Sequence, residues 1–487
     1  MQEQAHQFEL LPAYIDAVQA ADPEAHIQIS IENREGTRRF QRLFICPSVS
    51  HEAFQHCRSF LAIDGTFTKD IFNLTILMAA SIDAANHAVL IAWAIVESEN
   101  EDAWRFFPPF SSSRFYTFSH HLRFFLSNLH TAIPEVNHPS VTIMSDRDKG
   151  LRAADNEIPR ATRAICLEHL SRNLQKNCGL AARNVFNSAI RFALTEEKLQ
   201  AGMDELQEAS PQAVDYLWGI DLTLWATPYF PGKRYGHNTS NVVEIMNSWI
   251  IEERKLSIID LLHALWCKNM DLRFRHLQEA QKYDPATVLT KYSAKLLEQS
   301  MQFSNHHLVR FADPHHASVL SFLGKWYSKP CFSQSCQKLI NTVRYAVDLL
   351  ARTCSCGRFQ HDDVPCGHAT AVIRGYHDPA GGLHRSVRDF VAHNLTVPAF
   401  RATYTAPIPL VEITGLQPRN DMLCRAPLVK KARGRPQVAR FTAGEQRARV
   451  AAFNGAVQNI PDRLQRCSRC HQEGHNILRR RARSADL

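Results

Sequence analysis

The chain has 487 residues, of which 45% are hydrophobic and 21% are charged, an ordinary globular composition with length enough for two or three domains. The formal net charge is +8, and residues 425–487 alone carry 15 Lys and Arg against 4 Asp and Glu, so a basic segment follows a slightly acidic body. Such a segment favours polyanion binding. The first residues lack a secretory pattern, and the 13 cysteines, several at metal-ligand spacing, argue for a reducing compartment and against a disulfide framework.

The predicted elements begin with a short helical lead-in over residues 1–58 and then change to strands. Continuous apolar runs predict strands that are covered on both faces. The most apolar stretch, 74–96, contains Asp83, Asn86 and His87, which would be costly in a bilayer, so we assign it to two buried strands. The predicted strands are 60–63, 73–82, 88–96, 141–144 and 164–166.

Helical spacing lies between and after these strands, an order that is typical of an α/β sheet with helices on its faces. Residues 107–124 interrupt the helix pattern around them and read either as an insertion or as a surface loop followed by a second helix. Further helices are predicted over 170–178, 181–194, 196–209 and 258–282. From residue 425 the chain is Arg-, Ala- and Pro-rich, which predicts a basic disordered tail.

Cysteine and histidine cluster in the stretch RTCSCGRFQHDDVPCGHATA, residues 352–371. The pattern Cys-x-Cys-x9-Cys-x-His supplies two close pairs of ligands, and structural zinc takes four such ligands in a tetrahedron. The nine-residue spacer is long enough for a β-hairpin, Gly357 and Gly367 relieve crowding beside the ligands, and a helix follows. The sequence therefore predicts a small ββα zinc module, with chance placement of four reduced residues as the alternative. The predicted ligands are Cys354, Cys356, Cys366 and His368.

This pattern resembles the SWIM zinc finger over residues 339–379. The resemblance implies a module that contacts nucleic acid or protein. Because protein groups fill all four positions on the metal, a zinc-dependent hydrolase is disfavoured.

Two aspartates end predicted strands, Asp64 in LAIDGTF and Asp146 in TIMSDRDKGL. Carboxylates at the tips of adjacent strands repel each other unless a cation lies between them, and a divalent cation such as Mg²⁺ is the natural partner. Asp148 is a lower-ranked alternative to Asp146. Each acid alone is as readily a turn cap or a solvated side chain.

A third carboxylate would complete the cage, and Glu244 in GHNTSNVVEIMNSWI is our choice. Ser240 or Asn241 can cap a helix that presents Glu244 in its first turn, with Met246, Trp249 and Ile250 packing behind it.

The succession DGTF, SDRDKGL, CLEH and HNTSNVVEIMNSW resembles the Mutator-like element (MULE) transposase domain over roughly residues 40–270, and the SWIM finger behind it fits the same family order. The resemblance implies a ribonuclease H-like mixed sheet with a helical insertion ahead of the last acidic helix. It carries over Asp64, Asp146 and Glu244 as a catalytic triad that binds Mg²⁺ or Mn²⁺. Cys166 and His169 also match a Cys-x2-His feature of the family, and for these two we expect packing and hydrogen bonding.

Two motifs lie in the basic segment. The stretch KKARGRP resembles an AT-hook, which implies that an extended Arg-Gly-Arg lies in the minor groove of A·T-rich DNA, a solvated linker being the alternative. Its residues are Lys430, Lys431, Arg433, Gly434, Arg435 and Pro436. Cys467, Cys470 and His475 resemble a zinc knuckle, but Arg480 stands where the fourth ligand is expected, so the knuckle is incomplete.

These features predict a DNA transposase, or a protein derived from one, that acts in the nucleus on terminal inverted repeats. The alternative is a domesticated, non-catalytic zinc-finger DNA-binding regulator of transcription. We expect no membrane partner, and a homo-oligomer is left open. The predicted order is a lead-in 1–58, the core 59–300, a linker 301–338, the finger 339–379, an extension 380–424 and the tail 425–487.

Overall fold

A computed structural model gives the fold of residues 2–34, 36–97, 114–146, 157–305, 307–322, 342–376 and 385–428. The predictions for Asp148 and for the basic tail, with its AT-hook-like and knuckle-like motifs, lie outside these described residues.

The larger sheet of the described chain has seven strands in the order β1-β2-β5-β4-β3-β6-β7. Strands β1 to β5 are joined antiparallel, whereas β6 runs parallel to β3 and to β7. The strands are β1 (His26–Arg34), β2 (Thr37–Cys46), β3 (Phe60–Phe67), β4 (Thr75–Ile82), β5 (Ala88–Val96), β6 (Thr142–Ser145) and β7 (Thr162–Ile165). The five strands predicted between residues 60 and 166 are confirmed as β3 to β7. The lead-in is helical only at its two ends, because the hairpin β1–β2 between them extends the edge of the sheet.

Helices cover both faces of this sheet. On one face, α1 (Gln2–Ala21), α9 (Asn241–Trp249) and α10 (Ile258–Gln281) pack on a core that includes Phe60 and Trp93. The other face lies against α2 (Val49–His56), α3 (Arg114–Ala132) and α14 (Val397–Thr403). Every residue of β4 is buried, which explains why its sequence is apolar without alternation.

Helix α3 includes the later part of the interruption predicted at residues 107–124. It begins at Arg114 and continues unbroken into the predicted helix, and it buries Leu122 together with Phe125 and Leu129. The later part of that segment is therefore the start of a helix, while residues 107–113 lie outside the described residues.

A helical insertion separates β7 from α9 and has its own apolar core. Its helices are α4 (Leu167–Cys178), α5 (Leu180–Val185), a π-helix (Phe186–Ile190), α6 (Glu196–Ala209), α7 (Pro211–Trp218) and α8 (Leu222–Trp225). This confirms the predicted helices in 170–209.

A four-stranded antiparallel sheet, in the order β11-β10-β9-β8, follows. Its elements are α11 (Lys291–Ser304), β8 (His307–Phe311), β9 (His316–Phe322), β10 (Thr342–Asp348), β11 (Thr353–Cys354), α12 (Arg358–Asp362) and α13 (Gly367–Gly375). Two expectations need correction. The segment predicted as a linker, 301–338, contributes β8 and β9 to the sheet of the finger. The spacer between the ligand pairs contains the short helix α12 and no hairpin. The predicted ββα module therefore has too few elements, because the finger includes a four-stranded sheet.

The chain beyond the finger returns to the large sheet. Arg425 forms a parallel bridge with Arg39 of β2, and Trp266 of α10 donates a hydrogen bond to the carbonyl of Pro409 at 2.9 Å. No helix in the described ranges is long and apolar enough to cross a membrane.

Candidate functional site

The four predicted zinc ligands converge. One ligand atom from each of Cys354, Cys356, Cys366 and His368 lies within 4.8 Å of the others. The Nδ1 atom of His368 faces the thiols, 3.7 Å from the Sγ of Cys354 and 4.0 Å from that of Cys366. Three sulfurs and one imidazole nitrogen are a donor set that fits structural zinc.

The crowding of the thiols shows why a metal suits this place. Hydrogen bonding to Cys356 raises the pKa of Cys354, and the same contact lowers the pKa of Cys356. Three sulfurs that compete for protons in a buried space are stabilised together by a cation that replaces the protons.

Local backbone geometry fixes the first ligand pair. The side-chain amide of Gln360 accepts from the amide of Cys354 and donates to its carbonyl, both at 3.0 Å. Gly357 has a φ of +80°, and a Cβ there would lie 2.6 Å from the carbonyl oxygen of Leu194. Glycine is therefore required both by the turn and by the close approach of the insertion, a stronger reason than relief of ligand crowding.

The second pair is held by packing. Cys366 precedes α13, whose residues Ala369 and Val372 are fully buried. The ring of Tyr345 stacks on His368 with centroids 3.9 Å apart, which fixes the plane of the imidazole.

The finger is tied to the loop that precedes α9. Lys233 Nζ lies 2.6 Å from the carboxylate of Asp363, and Asp363 is only 11% exposed. That loop continues through His237 and Asn238 to Ser240 at the start of α9. The zinc site and the acidic residues are thus joined by a short run of chain.

Sheet register aligns the strand segments that lead to Asp64 and to Asp146. In the parallel pair β3–β6, Ala62 is opposite Met144, and both aspartates lie two residues further on. Alternation along the strands puts them on the face that packs against α9, and neighbouring strands are about 4.8 Å apart. The predicted meeting of the two aspartates is consistent with this register. Asp64 does not end its strand, however, because β3 continues to Phe67 and Asp64 is paired with Met78 of β4.

Glu244 lies in the first turn of α9, as predicted, but its surroundings differ from the prediction. Ser240 is the N-cap residue by position, yet its side chain makes no capping bond. Its hydroxyl lies 3.2 Å from the Sγ of Cys166 and 3.4 Å from the Oε1 of Glu244.

Asn247 connects α9 to β3 and was missed in the sequence. Its Nδ2 donates to the Oδ2 of Asp64 at 3.1 Å, while Gly65 N donates to the Oδ1 at 2.9 Å. The signal was available, since Asn247 lies three residues after Glu244 and so shares its helix face.

Cys166 and His169 belong to the same site. One ligand atom from each lies within 4.8 Å of one from Glu244. Hydrogen bonding to Cys166 raises the pKa of His169 to about 9, and the negative charges of Asp146 and Asp64 contribute to that rise. A pKa above neutrality favours the imidazolium form of His169, and the expected hydrogen bonding between Cys166 and His169 is present.

Electrostatics connects the predicted triad. Burial raises the pKa of Asp64, and the charges of Glu244 and Asp146 raise it further against the opposing effects of Gly65 and His169. Within the described residues, the compact groups of possible metal ligands place Glu244 with Cys166 and His169, and no such group contains all three acids.

Comparison with known families gives two matches. Residues 60–173 match the family model of the MULE transposase domain, a range that includes Asp64, Asp146, Cys166 and His169 but ends before Glu244. Residues 342–374 match that of the SWIM zinc finger and include all four zinc ligands. No curated protein matches the chain in sequence. The chain thus carries a MULE transposase domain followed by a SWIM zinc finger.

Proposed function

We propose that the protein is a DNA transposase, or derives from one, and that it hydrolyses and transfers phosphodiester bonds at Asp64, Asp146 and Glu244. The observation that supports the proposal most is the register of β3 with β6, which aligns the segments leading to Asp64 and Asp146 within the MULE match. Within the sheet, the antiparallel run β3–β4–β5 followed in the chain by β6 and β7, which add parallel to β3, also supports a ribonuclease H-like core.

The carboxylates fit hard divalent cations, Mg²⁺ or Mn²⁺, which prefer oxygen ligands. Burial and mutual repulsion raise the pKa of Asp64, so a cation at this place would stabilise the ionised form. When bound, such ions supply activation of a water or a 3′-hydroxyl and stabilisation of the leaving oxygen. Asn247 orients Asp64, and the Ser240 hydroxyl orients Glu244.

Zinc has a separate role in this proposal. The SWIM finger binds it through Cys354, Cys356, Cys366 and His368 and contributes to DNA binding, together with the AT-hook-like residues 430–436. Terminal inverted repeats, A·T-rich minor grooves and a nuclear location belong to the proposal.

A second candidate is a non-catalytic DNA-binding regulator. It is favoured by the grouping of Glu244 with Cys166 and His169, because a charged His169 partly balances the acids without a metal ion.

The test is Mg²⁺-dependent cleavage of the element's own terminal repeats by the zinc-loaded protein. Asp64→Asn and Asp146→Asn should each reduce cleavage about 10³-fold, since loss of a metal ligand removes several kcal/mol of transition-state stabilisation. Asp271→Asn, on the exposed surface of α10, is the matched control and should leave cleavage unchanged. Absence of cleavage by the wild-type protein, with retained DNA binding, would favour the regulator.

A further inference from the structure

Three arginines of the helical insertion surround one carboxylate. The Oε1 of Glu168 accepts from Arg172 at 3.1 Å and from Arg183 at 3.2 Å, and the Oε2 accepts from Arg191 at 3.0 Å. Three positive charges and one negative charge leave a net charge of +2. Among the described residues, no second carboxylate pairs with these arginines. We call Glu168, Arg172, Arg183 and Arg191 the arginine cluster.

The fold builds this cluster from three separate elements. Arg172 lies on α4 and Arg183 on α5, whereas Arg191 follows the π-helix. The amide of Arg191 donates to the carbonyl of Phe186 at 2.8 Å, a bond five residues back along the chain. A π-helix shifts the following residues around the helix axis, and such turns often lie at functional sites.

Further hydrogen bonds hold two of the guanidinium groups in place. Arg183 donates to Gln175 at 2.6 Å, and Arg191 donates to Asn187 at 3.3 Å. Exposure falls from 55% at Arg172 through 29% at Arg183 to 15% at Arg191. The cluster therefore presents one exposed guanidinium group to solvent beside two that are more buried, and guanidinium groups match the geometry of phosphate oxygens.

The cluster lies next to the acidic site. Glu168 immediately precedes His169 on α4, and Leu167 N donates to the carbonyl of Asn238 at 2.9 Å. Asn238 in turn donates from its side chain to the carbonyl of Arg191 at 3.3 Å. One loop thus joins the arginine cluster to α9, which carries Glu244.

We infer that the arginine cluster is a binding site for backbone phosphates of the DNA strand that enters the acidic site. This inference rests on the proposed function and names the part of the chain that positions its substrate. Glu168 keeps the arginines together when DNA is absent, and phosphates take over part of that role when it binds. Contacts of this kind position a duplex without reading its sequence.

The experiment measures binding of a short fluorescent duplex of mixed sequence to the full, zinc-loaded chain over a series of salt concentrations. Arg172→Gln should weaken binding and reduce the slope of log K against log salt by about one unit, because one phosphate contact is lost. Glu168→Gln should tighten binding at low salt, since it removes the competing carboxylate. Arg275→Gln, an exposed arginine on α10 outside the cluster, is the matched control and should leave the slope unchanged.

Two outcomes would overturn the inference. An unchanged slope in Arg172→Gln, with a lowered thermal midpoint, would make the cluster a purely structural ion network. A wild-type chain that binds no duplex at all would remove the proposed function as well. If Arg172→Gln keeps DNA binding, Mg²⁺-dependent cleavage and the wild-type slope of log K against log salt, this inference alone is wrong and the proposed function stands.

Discussion

The zinc site and the acidic site differ in how far apart their residues lie along the chain. The zinc ligands all come from residues 354–368, so they are close along the chain as well as in space. The acidic residues come from β3, from the end of β6 and from α9, so they can approach one another only when the sheet and its covering helix have formed. A local site can be recognised from sequence spacing, whereas a distributed site depends on register and helix orientation.

The two sites also handle charge differently. Three crowded thiols and the imidazole of His368 form a donor set that suits zinc, so we expect the finger to need its metal. The acidic site already contains the charged His169 and the donor Asn247. We therefore expect removal of zinc to disturb the fold and removal of Mg²⁺ to leave it intact.

The largest expected effect is that of Cys366→Ser. Structural zinc in small finger domains contributes apparent binding free energies of about 10 kcal/mol, so this change should release the ion and open the finger. Zinc content and limited proteolysis within residues 342–376 measure the effect. Cys178→Ser, at a half-exposed cysteine of α4, is the control. A zinc-free Cys366→Ser chain with wild-type resistance to protease would contradict this account of the finger.

The next largest expected effect is a loss of folding stability at acid pH that depends on His237, in the loop that joins the two sites. Burial lowers the pKa of His237 from its ordinary value of 6.5 to about 3, and the charge of Arg58 adds to the effect. Arg58 donates to its Nε2 at 3.1 Å, a bond that requires the unprotonated nitrogen.

The sign follows from proton uptake. Between pH 6.5 and about 3 the unfolded chain binds the proton and the folded chain does not, so stability is lost as the pH falls through this window. In His237→Gln the free energy of unfolding should fall by a few kcal/mol less over this pH window than in the wild type, as measured by urea unfolding at several pH values. His138→Gln, at an exposed histidine, should follow the wild-type curve, and an identical curve for His237→Gln would refute the assignment.

The smallest expected effect concerns the ion pair between Lys233 and Asp363, which links the finger to the same loop. A double-mutant cycle with Lys233→Ala and Asp363→Ala should give a coupling of about 0.5–1 kcal/mol, because Lys233 is 45% exposed and solvent screens the pair. Additive effects of the two substitutions would show that the link is too weak to connect the sites.

Much of this structure could be predicted from local pattern. The buried strands β4 and β5 follow from continuous apolar runs, and α4 and α10 follow from helical periodicity. The hairpin β1–β2 was missed although β1 alternates between apolar and polar residues as a half-buried strand does, because the charged residues Arg34, Arg38 and Arg39 around its turn resemble a polar lead-in. Strands β8 and β9 were missed because neither is a continuous apolar run: β8 is mostly exposed, and β9 alternates exposed and buried residues.

The candidate site was predicted in outline and not in its contacts. Asp64, Asp146 and Glu244 could be chosen from strand ends and helix position. The bond from Asn247 to Asp64 and the position of His169 beside Glu244 depend on how α9 and α4 are oriented over the sheet. No sequence spacing encodes such an orientation, because residues far apart along the chain determine it.

Manganese binding tests the central claim most directly, namely that the distributed acids form a hard-cation site separate from the zinc finger. Electron paramagnetic resonance of Mn²⁺ with the zinc-loaded chain should show binding that Mg²⁺ displaces. Asp64→Asn and Asp146→Asn should abolish it while the zinc content stays unchanged. Manganese binding that is identical in the wild type and in both variants would contradict the account.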